Sequence, residues 1–179
     1  MIYKFRAILD AEDDVFRDIA IQEDATLEDL HNAIVNAFGF DGLEVASFYT
    51  CDDTWNQEEE IPMFDTGDIL GEQKTMSDYT LNQLLSQDHT KIIYVYDFIN
   101  MWTFLVELAA VEESEIGIVY PSLLFSHGEL PAIAPEKEFE ADMNDDIYDE
   151  FEDDLDEEDL DMFSGDDSFE NFGFEENWN

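Results

Sequence analysis

Apolar and polar positions alternate from the first residues, and that alternation predicts two strands over 2–9 and 15–21. Tyr3, Phe5, Ala7 and Leu9 take one parity against Ile2, Lys4, Arg6 and Ile8, while Val15, Ile19 and Ile21 share a later one. The acidic stretch 10–14 joins them into a hairpin. The period then changes from two to 3.6: Leu27, Leu30, Ile34, Ala37 and Phe38 form a helical stripe. Thr26 is placed to cap it, Asp29 completes a short-armed capping box, and Gly39 supplies a left-handed stop. A further strand is expected over 44–50, followed by a long polar connection through CDDTWNQEEE, Pro62 and Gly67 to about Ser77. Thr80 then caps a short helix bearing Leu81, Leu84 and Leu85. The runs KIIYVYDF and MWTFLVELAAV are β-branched and aromatic enough to be strands, with Asn100 in the connection. The order strand, strand, helix, strand predicts an α+β domain: a mixed sheet with two helices packed on one face, followed by an acidic C-terminal tail.

Gly128, Pro131 and Pro135 mark the exit from the domain, and the composition changes after them. We therefore expect a domain over 1–135 and a tail over 136–179. The tail holds 21 of the 48 acidic residues and one of the six basic ones. In it Phe139, Met143, Ile147, Phe151 and Leu155 recur every four residues, so they can share one broad helical face. Opposing that helix, Asp142, Asp146, Glu150, Asp154 and Glu158 stack like charges, at a cost of roughly 1–2 kcal/mol over four contacts. Residues 136–160 are thus expected to be helical only when docked on an apolar surface. Beyond them Phe163, Phe169, Phe172, Phe174 and Trp178 stud a Gly, Asp, Glu and Asn background, the composition of a disordered recognition segment over 161–179.

Charge narrows the partner. Residues 1–135 carry 27 acidic and five basic side chains, a net −22, and the whole chain is at −42. Nucleic-acid binding rests on cations that displace counterions, and Lys4, Arg6, Arg17, Lys74 and Lys91 are too few for a basic groove, so we expect no direct nucleic-acid contact. Because the body is itself acidic, an external basic protein is preferred to self-docking as the tail's partner. Cys51 is the single cysteine and is read as a buried, inert thiol, and MIYKFRAILD lacks the apolar core of a signal peptide. The longest apolar run, 101–111, is too short to span a bilayer, so the expected setting is the cytoplasm, away from membranes.

Candidate chemistry is sparse. His31, His89 and His127 show no HExxH spacing, no GxSxG surrounds Ser122 or Ser126, and neither GxGxxG nor GxxxxGK[ST] occurs. The DDLDEEDLD run lacks the glycine and ligand register of an EF-hand. No metal or cofactor is expected. Asp97, at the end of an apolar strand beside Trp102, is the one carboxylate whose surroundings suggest a raised pKa and acid or base work. The competing reading is that it accepts backbone N–H bonds in the turn.

In order along the chain, ATLEDLHNAIVNAFGF, YTLNQLL, IIYVYDFINMWTFLVEL and VYPSLLFSHGELP resemble the plasmid pRiA4b ORF-3-like family over about residues 2–135. The resemblance implies a small α/β domain of a group often described near mobile elements. It implies no established activity. Its most specific block is Tyr94, Tyr96, Asp97, Phe98 and Trp102, in place of a YxYDFGDxW pattern. Here Ile99 and Asn100 replace Gly-Asp, Phe104 stands where a polar residue is usual, and Phe16 stands where a Trp commonly precedes the basic residue, here Arg17. GFDGLEVASF also lacks the family's His. These changes remove polar or chelating groups, so the expectation is a non-enzymatic interaction protein, with a degenerate or cryptic enzyme site near Tyr96, Asp97 and Trp102 as the alternative.

Overall fold

A computed structural model describes residues 1–136. The tail expectations, from Phe139, Met143, Ile147, Phe151 and Leu155 to Phe163, Phe169, Phe172, Phe174 and Trp178, lie outside the described residues.

The predicted hairpin is present as β1 (Ile2–Leu9) and β2 (Phe16–Gln22), paired antiparallel from Ile2↔Gln22 to Ile8↔Phe16. Helix α1 (Leu27–Phe38) starts where its cap residues sit. Asp29 N–H donates to Thr26 Oγ1 at 3.2 Å, Asp29 returns a carboxylate to Thr26 N–H at 2.8 Å, and Gly39 takes φ +79°. Leu27, Leu30 and Ile34 are completely buried, each contributing roughly 1.5–3 kcal/mol of transfer free energy. Strands β3 (Ala46–Cys51), β4 (Gln57–Pro62), β5 (Lys91–Tyr96), β6 (Trp102–Glu112) and β7 (Ser122–His127) complete one seven-stranded sheet in the order β4-β3-β5-β6-β1-β2-β7.

Two features correct the expected architecture. Every strand pairing is antiparallel, so the sheet is not mixed, and the fold is dominated by the sheet rather than balanced between helix and strand. The second helix, α2 (Leu81–Leu84), is a single turn. The physical reason is that α1 does not connect parallel neighbours. It carries the chain over one face to β3, which pairs with β5, while β6 inserts beside β1. Only residues 27–38 sustain a helical period. The leucines after Thr80 instead bury Leu81 and hand backbone N–H groups to the turn before α1, Leu81 to the Ala25 carbonyl at 2.9 Å and Asn82 to that of Glu23 at 3.0 Å. Two strands went unanticipated, and they are the two edges of the sheet. Residues 57–62 read as polar loop and its exit through Pro62, and 122–127 were assigned no element.

The core lies between α1 and the face of the sheet carrying Phe5, Ile19, Phe48, Tyr94 and Phe104. On the opposite face a smaller group, Cys51, Ile93 and Val95, gathers Tyr49, Trp55 and Leu105. Burial pushes the Cys51 thiol up to about 11, with help from the neighbouring Asp52 carboxylate, which is the state of an inert thiol. Among the described residues, no helix is long and apolar enough to cross a membrane.

Candidate interaction site

The block that suggested a reaction centre is assembled at one end of β5 and β6, where Tyr96 pairs with Trp102. Phe40, just past α1, stacks on Tyr96 at 4.6 Å between ring centroids and meets Trp102 edge-on at 5.4 Å. Tyr96 Oη donates to Asp41 at 3.1 Å. Tyr94 is separate from this group, because it points to α1 and its hydroxyl lies 2.7 Å from His31 Nδ1. Both residues are buried; burial lowers the His31 pKa and raises that of Tyr94. Position 31 lies inside the apolar stripe of α1, the signal by which its burial was legible.

Asp97 occupies the left-handed region at φ +60° and starts the turn between β5 and β6. Its carboxylate accepts from Asn100 Nδ2 at 2.5 Å, from Ile99 N–H at 3.0 Å and from Asn100 N–H at 3.3 Å. The Asn100 side chain, followed by these backbone groups, holds the pKa below the usual carboxylate value despite burial. A raised pKa, the premise of acid or base chemistry, is the opposite of what this geometry produces.

Cations are committed inside the domain. Lys4 pairs with Glu112 at 2.6 Å, and Arg6 makes two 2.8 Å bonds to Asp18 while lying over Phe16. Lys91 donates to the Asp53 carbonyl at 2.6 Å above Trp55, and Lys74 sits over Tyr79. Arg17 is buried without a carboxylate. It donates to the carbonyls of Phe16 at 2.8 Å, His127 at 2.7 Å and Ala37 at 3.2 Å, and packs over Phe38. Ala37 is in the last turn of α1, where a cation is favoured by the unpaired carbonyls. One guanidinium thus ties β2, β7 and α1 together.

What Arg17 secures is the apolar edge of the sheet. β7 pairs with β2 from Phe16↔His127 to Ala20↔Ser122, with a register shift that leaves Leu124 unpaired. Its other side has no strand partner among the described residues. Leu123, Leu124 and Phe125 are 50%, 48% and 53% exposed. A hollow of about 160 Å³ flanks it between Leu123, Pro121 and the α1 residues Ala33 and Ala37, and one of about 290 Å³ bordered by Asp24, Asp29 and Tyr120 lies at Pro121, just before the strand. On the other side of the sheet a smaller one, about 50 Å³, lies between Leu124 and the carboxylate-bearing Glu112, Glu113 and Glu115. Sequence reasoning did not single out this edge. The signal was SLLFSH itself, six residues without a charge between a proline and a glycine.

An antiparallel seven-stranded sheet with one covering helix and an uncharged edge strand defines a small, sheet-dominated domain. The chain belongs to the plasmid pRiA4b ORF-3-like protein family, whose model matches residues 2–174. The match runs past Pro135, where the resemblance was expected to stop, into the acidic segment. In fold the chain is similar to the crystal structure of a protein of unknown function from Methanosarcina mazei Go1, with a TM-score of 0.60 at 20% identity over 70% of this chain and 68% of that one. No curated protein matches.

Proposed function

We propose that this is a non-enzymatic, cytoplasmic interaction domain whose acidic surface, extended by the acidic residues after 136, binds a basic protein. The observation that carries the reading is the use of the cations. Each of the five basic side chains of the body is engaged by a carboxylate, carbonyl or ring of the domain itself, against 27 acidic ones. The surface is left with a large surplus of carboxylates, which steers cationic partners and repels anionic ones. The same shortage of free cations favours a protein partner over nucleic acid. Asp97, committed to Asn100 and Ile99, supports binding over the alternative of a reaction centre at Tyr96, Asp97 and Trp102. The tail aromatics, Phe139 to Trp178, would add apolar contact.

Affinity capture on the full chain, followed by reconstitution from purified components, tests this. The expected partner is basic, and its affinity falls steeply between about 50 and 300 mM salt. Truncation after residue 135 weakens the complex by removing a net −20 of charge. A reconstituted partner that is acidic, or whose affinity ignores salt, overturns the reading.

A further inference from the structure

We infer that β7 is a strand-addition site: its free edge accepts an extended segment of the basic partner, one that alternates apolar residues with Lys or Arg. This deepens the acidic-surface reading above and rests on it for the charge of the occupant.

The two edges of the sheet differ in a way that decides where a strand can add. An edge strand offers unpaired N–H and C=O groups to any extended chain, and proteins block it with charges, prolines or bulges. β4 carries Glu58, Glu59 and Glu60 and ends at Pro62. β7 carries no charge and no proline across Ser122–His127, and its three central residues are about half exposed. Both strands contain a register shift, so bulging does not separate them; the side chains do. Strand addition takes its affinity from main-chain hydrogen bonds and its specificity from alternate side chains entering hollows on either face. β7 has such hollows on both sides, apolar at Ala33, Ala37 and Leu123.

Charge identifies the occupant. Glu113 and Glu115 border one face of β7 with Glu112, whose partner Lys4 is the one cation lining that hollow, and Asp24 and Asp29 line a further hollow at Tyr120 and Pro121, just before the strand. A second copy of this chain would bring the same carboxylates against themselves along with a further −42. A strand with Lys or Arg beside its apolar residues places ammonium or guanidinium groups among them instead. The attraction is worth most at low ionic strength.

Ser122 to His127 are tested in the full chain with an eight-residue probe, acetyl-Lys-Val-Thr-Val-Lys-Val-Thr-Lys-amide, by fluorescence anisotropy at about 50 mM salt. The Lys peptide binds, and amide exchange at residues 122–127 slows. A version N-methylated along one edge, with identical charge, binds at least about tenfold more weakly, as does a version with Glu for Lys. Leu124→Pro weakens binding to the same extent. Leu124 is the residue that the β2 register skips, and bulges and edge strands are where a sheet tolerates proline. If that variant misfolds, the N-methylated peptide still reads the edge in the wild-type chain. Equal binding of the N-methylated peptide overturns strand addition and leaves the acidic-surface reading standing. Equal binding of the Glu peptide overturns that reading itself. Dimerisation of the free chain that Leu124→Pro abolishes overturns the inference in favour of a second copy.

Discussion

β4 and β7 close the same sheet at opposite ends, yet among the described residues one edge is lined with charge and the other carries none. β4 reaches solvent as Gln57 and three glutamates, and of these Glu60 accepts from Ser47 at 2.7 Å and Tyr49 at 3.3 Å. β7 reaches solvent as Leu123, Leu124 and Phe125, anchored from below by Arg17. In a chain with 48 acidic residues, charge is the cheapest way to guard an edge, so the absence of any on β7 is the informative feature. The lesson is that the binding potential of a highly charged protein can lie where its charge stops.

Breaking the attachment of one edge should separate the two. Arg17→Ala leaves the carbonyls of Phe16, His127 and Ala37 without their donor and removes the contact with Phe38. The expected loss is about 3 kcal/mol in urea unfolding. Amide exchange should show the asymmetry: residues 122–127 lose protection in the native state, while 57–62 keep theirs. Uniform loss across both edges would mean that Arg17 does not hold β7 in particular.

The same contrast explains what was legible in the sequence. β1 and β2 were legible by alternation, β5 and β6 by runs of β-branched and aromatic residues, β5 being buried on both faces, and α1 by its cap residues Thr26, Asp29 and Gly39. Edges obey weaker rules. β4 has one neighbour, and its glutamates answer to solvent rather than to the pleat, so they read as loop. β7 has an apolar run whose parity is broken by the unpaired Leu124, and its neighbour β2 is about 100 residues earlier in the chain. The antiparallel order was hidden for a related reason, since β1 finds β6 across a separation that no local pattern encodes. Of the site residues, Tyr96 and Trp102, grouped by the family resemblance, pair across β5 and β6. Asp97 was placed by its turn, and the roles of Arg17 and β7 depend wholly on tertiary contacts.

A titration at the centre of the domain should move both edges together. Burial lowers the His31 pKa below its unfolded value near 6.5. As pH falls, the unfolded chain takes up the proton first, so the contribution of His31 is complete above the unfolded pKa. It is lost as pH drops through that value toward the folded one. The slope is at most about 1.4 kcal/mol per pH unit, set by one proton. His31→Leu/Tyr94→Phe removes the ring and its 2.7 Å partner together, and should flatten the difference in stability between pH 7.5 and 5.5 relative to wild type. Exchange at 57–62 and 122–127 should respond alike; a response confined to one edge would show that the core does not couple them.

A smaller effect distinguishes the inner end of β7. Ser122 Oγ is buried with no hydrogen-bond partner among the described residues, so the hydroxyl costs stability where β7 begins. Ser122→Ala should raise stability by about 1 kcal/mol, read as a higher urea midpoint with unchanged slope. A loss instead would mean that the hydroxyl has a partner that its surroundings in the sheet do not reveal.

The finest test transfers the open character from one edge to the other. Glu58 and Glu59 lie where β4 shifts register against β3, between the pairs Tyr49↔Glu60 and Cys51↔Gln57, and their side chains are exposed. Replacing both with threonine raises strand propensity and removes two charges, while sparing Glu60 and its bonds to Ser47 and Tyr49. Folding stability should stay within about 0.5 kcal/mol, as for other exposed substitutions. If carboxylates are what guard β4, Glu58→Thr/Glu59→Thr should gain the strand-accepting behaviour of β7. The free chain would then self-associate in sedimentation velocity, or bind the Lys peptide with added protection at 57–62. A variant that stays monomeric and leaves 57–62 unprotected would place the guard in the bulge and Pro62 instead. Because β7 shares the bulge but not the proline, Pro62→Thr would then be the change that opens β4.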